Sequence, residues 1–284
     1  MKNNAKSIRS RLYNISKIRN ISFQHLIIRY LHERLLYRLS VSSYCNNFFL
    51  KGGTLLYAYS KSEKPRYTLD IDFSLQQMRY NVQNVVKAMR YICSVTDNDG
   101  VIFDSSGITA NEIKENDPYG GLRVFVTAHL DTIQQRLQVD IGFGDIIYPD
   151  PVKIFFPVLL DSQASPLINA YTIETIIAEK FHSMIDLADL NSRMKDFYDV
   201  YKLIEVGDYS ESVLLNSVRI TFENRNTYYV KNHSLFADEF SLDKQRNKTW
   251  IAFTKKIEIE NPAPFPDVML VIRRVLQPIW NALA

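Results

Sequence analysis

The sequence predicts a mixed α/β fold followed by a helical region. Short apolar segments of strand type alternate with helical periodicities as far as about residue 165, and helical periodicity dominates from residue 166 to the end. With 284 residues, 46% of them hydrophobic, the chain can bury one large core or two modest ones. We therefore expect an α/β domain with N-terminal helices over residues 1–165 and a helical domain over residues 166–284.

The first elements of the predicted α/β domain are a helix, a strand, a glycine turn and a second helix. Apolar residues recur every three or four positions over residues 22–40, which is the helical period. A short buried strand at residues 48–50 ends at Gly52 and Gly53, and helical composition resumes over residues 54–59. Such a turn lets backbone N–H groups approach a phosphate, which makes it a candidate phosphate cradle.

A further strand is predicted at residues 69–75, a helix at residues 81–95, and a hairpin of two strands at residues 122–130 and 136–143. The first of these strands carries Asp70 and Asp72.

Alternate side chains of a strand point to the same face, so Asp70 and Asp72 should converge on one spot. Asp140 shares a strand face with Gln138, and the sheet could bring it beside the other two carboxylates. Convergent carboxylates repel each other unless a cation lies between them. The usual occupant is a hard divalent cation that holds phosphate oxygens, normally Mg²⁺. The pattern thus predicts a site for Mg²⁺ and a triphosphate.

Lys180 stands out in the helical region because it lies within an apolar stripe. We expect its helix to begin after an N-cap at Thr172. Two interpretations of Lys180 stay open: its stem packs while the ammonium reaches water, or the ammonium contacts a nucleotide phosphate. The buried positions of this helix are expected to be Ile173, Ile176, Ile177 and Met184.

A second charged helix carries Asp196 and Asp199, three residues apart and next to its apolar face. Two interpretations are again open. Both carboxylates belong to a functional site, or they form surface salt bridges with Arg193, Lys195 and Lys202.

Composition excludes several classes of protein. Two isolated cysteines, Cys45 and Cys93, are too few for a disulfide framework or a zinc site, and the five histidines show no metal-ligand spacing. No segment resembles a signal peptide or is apolar enough to span a bilayer, so we expect a cytoplasmic protein without membrane contact. The net charge of +3 alone does not decide for or against nucleic acid, although basic residues concentrate near both termini.

Four segments together resemble the AbiEii/AbiGii toxin family, which belongs to the DNA polymerase β-like nucleotidyltransferases. The matching segments are Leu-Lys-Gly-Gly-Thr at residues 50–54, Arg-Tyr-Thr-Leu-Asp-Ile-Asp-Phe at residues 66–73, Ala-Glu-Lys-Phe-His at residues 178–182 and Arg-Met-Lys-Asp-Phe-Tyr-Asp at residues 193–199.

The resemblance implies a mixed sheet flanked by helices, with a helical C-terminal lobe. It also implies transfer of a nucleotide from an NTP to an acceptor hydroxyl, in the manner of enzymes that use two Mg²⁺ ions. Relatives act as toxins paired with an antitoxin, and some modify the acceptor end of tRNA. We therefore expect an RNA acceptor and a cognate antitoxin protein as partners.

By the same resemblance Asp70 and Asp72 are metal ligands, Lys180 contacts the triphosphate, and Asp196 is an essential polar residue with Asp199 as a second candidate. Arg66 and Thr68 line the phosphate pocket beside Gly52, Gly53 and Thr54. Asp140 is the expected third carboxylate, from its strand position alone; it would bind the second metal or accept the proton of the attacking hydroxyl.

Three alternatives stay open. The first two are an enzyme that modifies small molecules such as antibiotics and an enzyme that AMPylates proteins, since the same core serves all these acceptors. The third is an inactive module that binds a nucleotide or a partner.

Overall fold

Seven strands form one mixed sheet within the part of the chain that the computed structural model describes, residues 2–60, 66–79, 81–113 and 120–283. The spatial order is β3-β4-β5-β2-β1-β7-β6. The strands are β1 (Phe48–Lys51), β2 (Asp70–Leu75), β3 (Val101–Ile113), β4 (Gly121–Leu130), β5 (Ile133–Phe143), β6 (Val152–Phe155) and β7 (Leu167–Ala170).

Parallel and antiparallel pairings mix in this sheet. Strands β3, β4 and β5 form an antiparallel meander, and β5 then pairs with β2 in parallel. On the other side β2 pairs with β1 antiparallel, β1 with β7 parallel and β7 with β6 antiparallel. The central strand of the seven is therefore β2, which carries Asp70 and Asp72, and its neighbour β5 carries Asp140.

Helices flank the sheet and make up most of the C-terminal part. They are α1 (Lys2–Arg19), α2 (Phe23–Ser40), α3 (Gly52–Tyr59), α4 (Val82–Ser94), α5 (Ile173–Leu187), α6 (Met194–Val206), α7 (Glu211–Asn224), α8 (Asp238–Leu242), α9 (Lys244–Lys256) and α10 (Phe265–Leu283).

The chain divides into two compact units. The first contains the sheet and comprises Met1–Ala58, Glu63–Asp145 and Pro151–Tyr171. The second is helical and comprises Tyr59–Ser62, Ile146–Asp150 and Thr172–Ala284.

The first unit builds its core from one face of the sheet. Along β4, the side chains of Leu122, Val124 and Val126 are fully buried, whereas the residues between them are half-buried. Helix α4 packs against β3, and α2 packs against β7 and α4. Alternation thus assigns one face of the central strands to the apolar core and leaves the other face for polar side chains.

The second unit is held together by aromatic side chains. Phe181 of α5 packs against Phe222 of α7 and Trp280 of α10, and Phe197 of α6 packs against Phe265 of α10. These rings lie at tilted or edge-on angles at centroid distances between 5.2 and 6.3 Å, the arrangement that ring quadrupoles favour.

Local signals place the helix ends of this unit. Thr172 caps α5 by accepting a hydrogen bond from the Thr175 backbone N–H, as expected from the sequence. Gly207, in the left-handed region at φ 73°, ends α6.

The predicted mixed sheet with flanking helices is confirmed, and so is the order helix, strand, glycine turn, helix at its start. Residues 167–170 lie in the region predicted to be helical, but Leu167–Ala170 form β7 inside the sheet. Two other strands, β3 and β6, were not predicted. The limits 1–165 and 166–284 remain predictions of domain boundaries.

Candidate active site

Four charged residues form one row across the polar face of the sheet. The register of the strands places Arg123 of β4 opposite Asp140 of β5, Asp140 opposite Asp72 of β2, and Asp72 opposite Lys51 of β1. Side chains directly opposite on neighbouring strands share a face and lie close together. Two carboxylates therefore stand side by side with a cation at each end.

Asp70 joins this row from the same strand face, two residues before Asp72. The three carboxylates of Asp70, Asp72 and Asp140 each present an oxygen, and these oxygens lie within 4.8 Å of one another. All three residues are half-buried. The structure thus brings together the three carboxylates that the sequence predicted as metal ligands.

Gly52 connects the glycine turn to this cluster. Its φ of +64° lies in the left-handed region, and a Cβ placed there would lie 2.0 Å from the Asp72 Oδ2 atom. A side chain at position 52 would thus collide with a carboxylate of the cluster. Glycine is required here both for its backbone conformation and for the close approach of Asp72.

The neighbouring residues hold Asp70 in place. Thr68 donates a hydrogen bond from Oγ1 to Oδ1 of Asp70, and Thr54 donates from Oγ1 to the Asp70 backbone carbonyl at 2.8 Å. A Cβ at Gly53 would lie 2.9 Å from Thr68 Oγ1 and 3.2 Å from an Arg66 nitrogen. The predicted phosphate-pocket residues therefore surround the same turn.

Arg123 is a member of this site that the sequence did not reveal. Its guanidinium donates to both Asp140 oxygens, from Nε at 2.9 Å and from Nη2 at 2.8 Å, and Gln138 donates to Oδ2 at 3.0 Å. The signal that could have found it is the tight turn at Asp131 and Thr132, which fixes the pairing of Arg123 with Asp140.

Lys51, from the Leu-Lys-Gly-Gly-Thr segment, lies at the other end of the row. Its ammonium lies 2.6 Å from Oδ2 of Asp145, which also accepts a hydrogen bond from the Tyr171 hydroxyl at 3.1 Å. Both side chains of the ion pair are largely buried, at 17% and 9% exposure. The cation at this end of the row is thus fixed by its own carboxylate.

The second unit contains a separate charged cluster. The Lys180 ammonium of α5 lies 2.8 Å from Oδ1 of Asp196 and 2.8 Å from Oδ2 of Asp199, both on α6. Arg193 donates to the other Asp196 oxygen at 2.8 Å. Both aspartates are 1% exposed. The Lys180 ammonium therefore forms ion pairs with two buried carboxylates of the neighbouring helix.

This geometry corrects two interpretations. Lys180 does not extend its ammonium into water, because the ammonium is bound to Asp196 and Asp199. The aspartates are not surface residues either, although Arg193 does pair with Asp196 as that alternative supposed. Burial by itself would raise the pKa of Asp196, but Lys180 and Arg193 outweigh it, so this pKa lies below its usual value.

Two histidines are held neutral by their surroundings. Burial lowers the pKa of His32 in the first unit to about 4, an effect that Asp70 partly opposes. Burial and the neighbouring Arg225 lower the pKa of His182 in the second unit to about 4. Both side chains are therefore uncharged at neutral pH.

The first cluster suits a hard divalent cation. Carboxylate oxygens are the ligands that Mg²⁺ prefers, and a site with few protein carboxylates leaves coordination positions for phosphate oxygens. The close contact of Gly52 with Asp72 shows a backbone shaped around this carboxylate set. The second cluster already contains lysine and arginine, so its carboxylates are charge-compensated by the chain itself.

Comparisons with known proteins give the family of this chain and solved structures with a similar fold. A family model described as "Nucleotidyl transferase AbiEii toxin, Type IV TA system" matches residues 34–274. The structure of JHP933 from Helicobacter pylori is 19% identical and has a TM-score of 0.52, covering 92% of this chain and 94% of its own. A candidate nucleotidyltransferase of H. pylori is 17% identical with a TM-score of 0.50, covering 93% and 97%. These two likenesses concern the fold. A search of curated proteins finds no match.

Proposed function

The chain belongs to the AbiEii nucleotidyl transferase toxin family, and from this premise we propose that it uses Mg²⁺ to move a nucleoside monophosphate from an NTP to a hydroxyl of an RNA such as tRNA. The observation that carries the proposal is the convergence of Asp70, Asp72 and Asp140 on the polar face of the sheet. Nucleotidyl transfer needs negative charge on a triphosphate to be neutralised, and this cluster can hold the required cation.

Asp70, Asp72 and Asp140 would hold the metal, and a bound divalent cation supplies charge neutralisation for the phosphate oxygens. The chain's own groups then have defined tasks. Thr68 fixes one oxygen of Asp70, and Gly52 leaves the space that Asp72 occupies. Asp140 would bind the second metal or accept the proton of the attacking hydroxyl.

The glycine turn would contribute to triphosphate binding. Helix α3 begins at Gly52, so its first backbone N–H groups offer partial positive charge to an anion. Arg66 and Thr68 lie against Gly53 and would line the same pocket. The roles of Lys180, Asp196 and Asp199 at the triphosphate remain predictions from the family resemblance.

Two helices that contain Lys and Arg but no Asp or Glu support the proposal of an RNA acceptor. Helix α1, in the first unit, contains Lys and Arg at six positions of its sequence and no Asp or Glu. Helix α9, in the second unit, contains five basic residues among thirteen and again no acidic one. Basic helices of this composition favour the phosphate backbone of a nucleic acid. The basic residues are Lys2, Lys6, Arg9, Arg11, Lys17 and Arg19 of α1 and Lys244, Arg246, Lys248, Lys255 and Lys256 of α9.

The family is one of toxins in toxin-antitoxin systems, so an antitoxin partner follows from membership. In the described part of the chain, no helix combines the length and apolar character that a membrane crossing requires. A cytoplasmic location is part of the proposal.

The test offers acceptors side by side. Purified protein is incubated with each of the four α-labelled NTPs and with total RNA, protein extract or aminoglycosides, with and without Mg²⁺. We expect Mg²⁺-dependent label in the RNA fraction, in the tRNA band, and no label with an Asp72→Asn variant. Label in protein or aminoglycoside instead would overturn the RNA assignment. Absence of transfer to every acceptor would favour an inactive binding module.

A further inference from the structure

The ion pair between Arg123 and Asp140 is not part of the proposed transfer chemistry. The guanidinium contacts both oxygens of Asp140 in a two-point arrangement. Such bidentate pairs are the strongest and most directional ion pairs that side chains form. Both oxygens of Asp140 are thus bound to a cation of the chain.

A divalent cation and a guanidinium compete for the same oxygens. We propose that Arg123 is a positioning residue, which holds Asp140 as an internal counter-ion and is displaced from it, in part or wholly, when a divalent cation binds the cluster. This inference rests on the proposed function, because it takes Asp70, Asp72 and Asp140 as the metal site.

The exposure of the Arg123 side chain makes exchange of its guanidinium for a divalent cation feasible at this end of the row. The Arg123 side chain is 38% exposed, so water can reach the guanidinium. The Lys51 side chain at the other end is 17% exposed and is tied to Asp145, which is 9% exposed. The two flanking cations therefore differ: Arg123 is the exchangeable one and Lys51 is the fixed one.

The arrangement has a consequence for metal affinity. Without Arg123, the three carboxylates, which repel one another, would have less positive charge beside them. The cluster would then bind the cation more tightly. Arg123 keeps metal binding weak until a triphosphate adds its own negative charge, so that nucleotide and metal are favoured together.

The test measures Mn²⁺ binding in the absence of nucleotide, by electron paramagnetic resonance of free Mn²⁺. Five forms of the full chain are compared: the wild type, Arg123→Gln, Arg123→Lys, Arg136→Gln and Asp72→Asn. Arg136 is the matched control, since it lies on the neighbouring strand and contacts the ring of Phe125, at 3.8 Å, instead of a carboxylate. Circular dichroism and thermal melting confirm that each variant is folded.

We expect Arg123→Gln to bind Mn²⁺ about three- to tenfold more tightly than the wild type, as removal of a partly screened unit charge predicts. Arg123→Lys keeps the charge, so its affinity should stay within about threefold of the wild type. Arg136→Gln should match the wild type.

The outcomes separate this inference from the proposed function. Equal or weaker Mn²⁺ binding by Arg123→Gln would overturn the role of Arg123 while leaving the metal site in place. Absence of Mn²⁺ binding in the wild type, or binding that persists unchanged in Asp72→Asn, would overturn the metal site and with it the inference. Tighter binding by both Arg123→Gln and Arg136→Gln would show a general charge effect and overturn the specific exchange.

Discussion

Two groups of aspartates in this chain have opposite surroundings. Asp70, Asp72 and Asp140 are half-buried on a sheet face, and the 38% exposed side chain of Arg123 is paired with one of them. Asp196 and Asp199 are 1% exposed and share the ammonium of Lys180. In the second group the chain itself supplies the balancing cations, whereas the first group is proposed to bind an external one. Carboxylates alone do not define a metal site; the cations already built around them decide.

The largest expected change in stability comes from replacing Lys180, the cation of the second group. This substitution tests whether Asp196 and Asp199 depend on it. Lys180→Met leaves two buried carboxylates without their shared partner, which should lower the free energy of unfolding by about 3–5 kcal/mol. Urea unfolding measures this change. Lys202→Met, which breaks the exposed pair with Glu205, should change it by only about 0.5 kcal/mol.

A second substitution sharpens this test. Adding Asp199→Asn to Lys180→Met removes the charge of Asp199, while Asp196 keeps its contact with Arg193, so part of the lost stability should return. If Lys180→Met unfolds at the wild-type urea concentration, the second group does not depend on its lysine and the contrast between the groups fails.

The second-largest effect is expected at Gly52, the glycine that lies against Asp72 of the first group. Gly52→Ala adds a Cβ that would meet Asp72 Oδ2 at 2.0 Å, in a backbone conformation that alanine disfavours. We expect a loss of about 1–2 kcal/mol of stability from the backbone alone. Transfer should fall by at least about tenfold, because displacement of a ligand by about 1 Å costs much of the catalysis.

Gly207→Ala is the matched control for this substitution. Gly207 has nearly the same φ, +73°, but a Cβ there would meet nothing within 4 Å. The control should show the same backbone penalty with unchanged transfer, both measured by urea unfolding and label incorporation. Equal transfer by the two variants would contradict the close coupling of Gly52 to the carboxylate cluster.

The two aspartate groups differ in how well the sequence predicts them. The difference depends on whether local geometry or contacts between distant segments position the side chains. The convergence of Asp70 and Asp72 follows from local geometry, the two-residue period of a strand. The burial of Asp196 and Asp199 does not, since it depends on packing of α6 against α5 and on the position of Lys180 there. Local periodicity placed both aspartates beside the apolar face, and tertiary packing covered them.

Arg123 shows a similar limit. The strand predicted to begin at residue 136 leaves a connection of several residues, whereas the observed hairpin turns at Asp131 and Thr132. The tighter turn sets the register that places Arg123 against Asp140. Asp131 adopts a left-handed φ of 53°, which this residue type tolerates in turns, and an Asp-Thr pair is a weak signal for it.

The strands that were missed lack the pattern on which prediction depends. In β3 the register shifts between Asp104 and Thr109, so apolar and polar residues do not alternate along its whole length. The strands β6 and β7 have four residues each, too few to establish a period. Their pairing comes from distant partners, β1 for β7 and β7 for β6.

The smallest expected effect is a pH dependence that belongs to the second unit. Burial and Arg225 lower the pKa of His182 to about 4, so between pH 6.5 and 4 the unfolded chain binds a proton that the folded chain does not. Stability should therefore fall as the pH drops through this window. The contribution of His182 at pH 5 is roughly 1–2 kcal/mol.

His182→Gln removes this titration. The difference in unfolding free energy between pH 7.5 and pH 5 should be smaller in the variant than in the wild type by that amount, as measured by urea unfolding at both pH values. An identical pH dependence in the two proteins would show that His182 is not held neutral by its surroundings.

The central claim is that the first carboxylate group is the centre of nucleotidyl transfer. Its most direct test is label transfer from NTP carrying the label at the α- or at the γ-phosphate, with the wild type and an Asp70→Asn/Asp72→Asn double variant. We expect the wild type to incorporate the α-label and not the γ-label in the presence of Mg²⁺, and the folded double variant to lose at least about 10³-fold in rate. A double variant that transfers the α-label at the wild-type rate would contradict the account.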